Sequence, residues 1–131
     1  MSTPGFVPAN YLTYRKRGQR FGRAGVNDER WKEISPEKPD HLYAAIIQDL
    51  MAANLRTAIY DSGRTIGGFA TEHGFTPQRM SRVTSGAALM RFQDLALMMR
   101  TFGSGVFPTW TSVAEDIQLN GFAVGEMPIK E

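Results

Sequence analysis

Ala70 and Gly74 stand four residues apart within the stretch from Thr65 to Val83, and this pairing dictates the local course of the backbone. Alanine at 70 is small enough for a following helix to cross close over it. Gly74 takes a positive φ without steric cost, so the chain turns sharply between two short helices. Thr65 is the N-cap of the first, over 66–73, and Thr76 is the N-cap of the second, over 77–85. Pro77 at the first helical position strengthens the second start, because its missing N–H would be unpaired there in any case. Phe69, Phe75, Met80 and Val83 supply the apolar side chains that lock the pair against the helix before it.

That preceding helix is long. From the N-cap Asp40, the residues Leu42, Ile46, Leu50, Met51, Leu55, Ala58 and Ile59 recur largely at three- and four-residue steps up to Gly63. After Gly86, Phe92, Leu95, Met98, Met99 and Phe102 follow the same spacing until Gly103. No part of residues 40–103 alternates like a strand. In the tail, Ser112 with Glu115 forms a capping box ahead of Ile117, Leu119 and Gly121, which predicts one more short helix. Asn120-Gly121 between apolar residues is also a hairpin signal, and the helix is the preferred reading of the two. Near the start, Asn27 caps a short helix bearing Trp31 and Ile34, which ends before Pro36. Ser35-Pro36-Glu37-Lys38-Pro39 interrupts the pattern and marks a boundary. The expected organisation is a basic N-terminal arm with a short helix over 1–39, a helical domain over 40–103, and an acidic extension over 104–131. The fold class is all-α, a helix-turn-helix bundle of about five helices with a flexible arm.

Composition fits one globular domain, since 42% of the 131 residues are hydrophobic and 21% charged. The absence of cysteine excludes a disulfide framework, a thiolate zinc site and a cysteine nucleophile together. The longest apolar run, Leu42 to Ile47, is far short of the roughly 18 residues of a membrane span, and the start lacks a signal-peptide layout, so the cytoplasm is the expected location. Charge is polarised. Residues 1–39 hold eight Lys and Arg against four Asp and Glu, whereas residues 104–131 hold one against four. Arg15, Lys16, Arg17, Arg20 and Arg23 fall within nine residues, beside Tyr14 and Phe21, and read either as a mobile basic arm for a polyanion or as a solvated terminus.

Residues from about Leu50 to Gly103, 54 of 131, resemble the DNA-binding domain of the Cro and phage-repressor family, also called the xenobiotic-response-element family. The similar features are Leu55 eight residues before Gly63, Gly63-Arg64-Thr65 at the first turn, Phe69-Ala70 with Gly74-Phe75, Met80 and Val83, Gly86, and a closing helix from Leu95 to Gly103. The chain departs from the family at Ile66, where a glutamine is common, and at Gly67-Gly68, which cost about 1 kcal/mol each inside a helix relative to alanine. The resemblance implies a transcriptional regulator that reads double-stranded DNA through its third helix. It also implies phosphate contacts near Arg64 and Thr65, and phosphate and first base contacts at Thr76 and Pro77.

Helical geometry names the reading side chains. With Met80 and Val83 turned inward, Gln78, Ser81, Arg82 and Ser85 project outward, with Arg79 on one flank. This row has no carboxylate. Gln78 suits the edge of adenine and Arg82 the two acceptors of guanine, although an ordinary solvated face has the same composition. His41 and His73 have no companion at metal-ligand spacing, and Gly103-Ser104-Gly105 follows no strand and has Pro108 where a dinucleotide loop needs its third glycine. No cofactor and no enzymatic activity are expected.

The functional expectation is therefore a sequence-specific regulator, read as a repressor because nothing suggests an activation surface. It would bind an inverted repeat as a homodimer. Phe107, Trp110, Ile117, Leu119 and Phe122 exceed what a lone terminal segment needs, which makes the tail the expected dimer interface. The alternative is a protein-interaction module, such as an antitoxin or antirepressor, that docks a partner protein through the same tail.

Overall fold

The computed structural model describes residues 7–11, 39–119 and 122–125. The basic cluster from Arg15 to Arg23, the expected helix after Asn27, and Asn120-Gly121 lie outside the described residues. Five α-helices and no strand occur among the described residues: α1 (Pro39–Asp61), α2 (Ile66–Glu72), α3 (Pro77–Thr84), α4 (Phe92–Phe102) and α5 (Trp110–Leu119). Short 3-10 turns cover Pro8–Tyr11 and Gly103–Val106.

Helix α1 is the axis of the bundle. Its buried residues include Leu42, Ala45, Ile46, Gln48, Asp49, Met51, Ala52, Leu55 and Ile59, which occupy most of its circumference. A helix buried on so many sides needs partners all round it, and the core accordingly divides along its length. Its C-terminal half, through Met51, Leu55 and Ile59, packs with Phe69 and Ala70 of α2, Met80 of α3, Leu97 and Met98 of α4, and Val106. Its N-terminal half, through Leu42, Ala45 and Ile46, packs with Val113 and Ile117 of α5, and Ala52 belongs to the same cluster. Ala9, Tyr11, Phe122 and Val124 lie against the same cluster. The hydroxyl of Tyr43 donates to the carbonyl of Ala123, and the N–H of Ala9 to that of Gly86, so both flanking segments are tied to the bundle.

Two sequence expectations about the tail change. Helix α5 begins earlier than the Ser112/Glu115 pattern indicates, because the hydroxyl of Thr109 accepts the N–H of Ser112 at 3.0 Å and acts as the cap. The tail also holds less spare apolar surface than its composition indicates. Ile117 is 4% exposed and Phe122 is partly buried on α1, while Phe107 is partly buried against the other cluster. Only Trp110, 78% exposed, and Leu119, 70% exposed, remain uncovered of the five. The N-terminal half of α1 thus takes up Ile117 and Phe122, two of the five residues expected at a dimer interface. No helix among the described residues is long and apolar enough to cross a membrane.

Candidate nucleic-acid interface

The turn between α2 and α3 has the geometry that Ala70 and Gly74 dictate. Ala70 is fully buried, its carbonyl accepts the N–H of Phe75 at 2.8 Å, and Gly74 has φ +79°. The hydroxyl of Thr65 accepts the N–H of Gly68 at 3.0 Å, and that of Thr76 accepts the N–H of Arg79 at 3.2 Å. Both short helices therefore start from a side-chain cap, and Pro77 opens α3. Gly68 has a local reason: a Cβ there would lie 3.1 Å from the Thr65 hydroxyl, against the cap bond itself. Gly67 lacks such a reason, since its Cβ would make only an ordinary contact with Pro77.

Helix α3 turns Met80, Val83 and Thr84 into the core and leaves Gln78, Ser81, Arg82 and Ser85 exposed. Thr84, fully buried, satisfies its hydroxyl on the carbonyl of Met80 at 3.0 Å. The caps Thr65 and Thr76 and the first helical residue Pro77 are exposed as well. From Arg64 to Arg91 the chain has four arginines and a single carboxylate, Glu72; with Arg64 paired to Glu72 and Arg79 to Asp94, the segment keeps a net positive charge through Arg82 and Arg91. The α5 side is the reverse, with Glu115 and Asp116 and no Lys or Arg between 104 and 119.

Two of the sequence-derived contacts are engaged within the protein. Arg79 is turned away from the outer row: one guanidinium nitrogen lies 2.6 Å from a carboxylate oxygen of Asp94 and 3.1 Å from the carbonyl of Leu89. Its side chain is 20% exposed and that of Asp94 6%, and the Arg79 Nε is buried without a partner. The flank position given by helical periodicity faces α4 here, which is what converts an apparent reader into a brace. Arg64 pairs with Glu72 at 2.7 Å while both side chains remain about half exposed, so its charge is offset but accessible.

Gln48 is the side chain that sequence reasoning missed. It is 3% exposed, and its amide nitrogen donates to the carbonyls of Val83 and Ala88, both at 2.9 Å, while its amide oxygen accepts the N–H of Met90 at 2.7 Å. A signal for it existed, because Ala45, Gln48, Ala52 and Leu55 share one helical face and the glutamine interrupts three apolar residues there. The histidines sit beside aromatic rings: His41 contacts Tyr11, whose hydroxyl is 3.3 Å from Nδ1, and His73 lies 4.6 Å from the ring of Phe69. Among the described residues no group of three His, Cys, Asp or Glu could hold a metal ion. No protein-family model matches the chain, and no curated protein or solved structure matches it either.

Proposed function

We propose that this protein is a sequence-specific DNA-binding regulator of the Cro and phage-repressor type, acting in the cytoplasm as a repressor on an inverted repeat. The observation that carries the reading is the carboxylate-free, exposed row of Gln78, Ser81, Arg82 and Ser85 on a capped helix that follows a sharp turn. A helix presented this way fits the major groove, where Gln78 pairs with adenine and Arg82 with guanine. Arg64 and the arm residues Arg15, Lys16, Arg17, Arg20 and Arg23 supply the phosphate contacts that set affinity but carry no sequence information. One such helix covers only a few base pairs, so two copies read half-sites roughly 34 Å apart. Among the exposed apolar side chains of the described residues, Phe92 and Met99 on α4 and Trp110 and Leu119 on α5 are the candidates for pairing.

Selection of bound duplexes from a random pool tests the reading. It predicts enrichment of a two-fold symmetric site with adenine and guanine at adjacent positions of each half. Recovery of the input pool unchanged contradicts it. Trp110 and Leu119 on an acidic helix also favour a second reading, a module that docks a partner protein, and co-purification of a stable heteromer without DNA affinity would select it.

A further inference from the structure

The bonds around α3 form two clamps that meet on one loop. From α1, Gln48 grips Val83 at the end of α3 and then Ala88 and Met90 beyond it. From the first turn of α3, Arg79 grips Leu89 and, through Asp94, the start of α4. The same Asp94 oxygen accepts the N–H of Arg91 at 2.7 Å. Four consecutive residues, 88 to 91, thus each have a backbone group held by a side chain, from α1, α3, α1 and α4 in turn. Such a loop has few alternative conformations, and α3 is held near both ends by polar groups that are largely removed from solvent.

We infer that Gln48 and Arg79 are positioning residues that set the sequence selectivity of α3 without touching DNA. The inference rests on the DNA-reading proposal above. Its physical basis is directional. Apolar contacts through Met80 and Val83 resist separation of α3 from the core but tolerate rotation and sliding, whereas hydrogen bonds of 2.6–2.9 Å to fixed acceptors at both ends do not. Small rotations of α3 would move Gln78 and Arg82 off the base edges, and two-point pairing is the interaction most sensitive to such a shift. The consequence separates Arg79 from its neighbour Arg82, although both are cations on one helix: Arg82 reads, and Arg79 aims.

The test uses the full chain, the duplex selected from the random pool, and a scrambled duplex of equal length. Binding is measured over a range of salt, and amide hydrogen exchange is followed in the free protein. Gln48→Met and Arg79→Met should each lower the ratio of specific to scrambled affinity about tenfold or more, the size of one misplaced two-point base pairing. The slope of log affinity against log salt on the scrambled duplex should stay at the parent value. The amides of Met90 and Arg91 should exchange faster. Arg79→Lys keeps the charge but ends one bond short of the guanidinium nitrogen that meets both Leu89 and Asp94, so it should lower the ratio in the same direction if Arg79→Met fails to fold. A salt slope that falls by about 0.9 in Arg79→Met makes this residue a phosphate contact and overturns the inference. An unchanged ratio with faster exchange reduces the clamps to stability alone and also overturns it. A parent chain that prefers no duplex sequence overturns the DNA-reading proposal itself, and that failure is visible before any variant is made.

Discussion

Arg64 and Glu72 face each other across α2 at 2.7 Å, and Glu72 is the only carboxylate between Arg64 and Arg91. An exposed pair of this kind contributes at most about 1 kcal/mol to stability, so its main effect is on the charge that Arg64 presents at the surface. Glu72→Gln should leave the melting temperature nearly unchanged while raising affinity for every duplex, specific or scrambled. The salt slope should steepen by up to about 0.9 as Arg64 takes a phosphate. Isotherms at several salt concentrations check this, and an unchanged affinity would place Arg64 away from the backbone of the duplex.

The tail is predicted to be part of the fold. Ile117 and Val113 are each 4% exposed and cover Leu42, Ala45 and Ile46 of α1. Ile117→Ala should therefore destabilise the protein by about 2–5 kcal/mol, read from a denaturant or thermal melt. Truncation after Gly103 should impair folding, which makes it unsuitable as a probe of association. Trp110→Ser and Leu119→Ser are the appropriate probes, because both side chains are exposed and should leave the melt unchanged while shifting the sedimentation profile if α5 pairs two copies. A truncated chain that melts like the parent would contradict the packing of α5 on α1.

Two glycines in the motif should respond in opposite directions. Gly74 has φ +79° with open space where a Cβ would go, so Gly74→Ala meets a conformational cost of about 1–2 kcal/mol and no clash. Gly67 lies within α2, and its Cβ would contact Pro77 at an ordinary 3.9 Å, so Gly67→Ala should stabilise by about 0.5–1 kcal/mol. Melting curves of the two variants give the signs directly. Equal shifts would mean that the turn does not depend on a left-handed residue.

What the sequence revealed was chemistry confined to a few neighbouring residues. Thr65, Thr76, Pro77 and Gly74 announce caps, a helix start and a turn through their own backbone preferences, and each does this in the structure. The inward set Phe69, Ala70, Met80 and Val83 is legible for the same reason, as helical period alone selects it. Long-range pairing was not legible. The spacing through α4 satisfies two faces at once, and the buried face carries Leu97 and Met98 while Phe92 is 87% and Met99 50% exposed. Arg79 occupies a flank that periodicity alone leaves open to solvent or to a neighbour, and only the position of Asp94 decides between them. Thr109 rather than Ser112 caps α5, its hydroxyl accepting the Ser112 N–H itself, and a hydroxyl three residues upstream of another leaves the choice between them open in the sequence.

On the proposed function, Gln78 and Arg82 read bases while Met80 holds the helix that carries them. The decisive measurement is a set of binding isotherms on the selected and scrambled duplexes for Gln78→Ala, Arg82→Ala and Met80→Ala, each paired with a melting curve. Arg82→Ala and Gln78→Ala should melt like the parent, each losing about 1–3 kcal/mol on the selected duplex and less on the scrambled one. Met80, 2% exposed, should instead cost about 2–5 kcal/mol of stability, with affinity falling only as the fold is lost. If Gln78→Ala and Arg82→Ala melt normally and bind both duplexes as the parent does, α3 is not a recognition helix and the account is wrong.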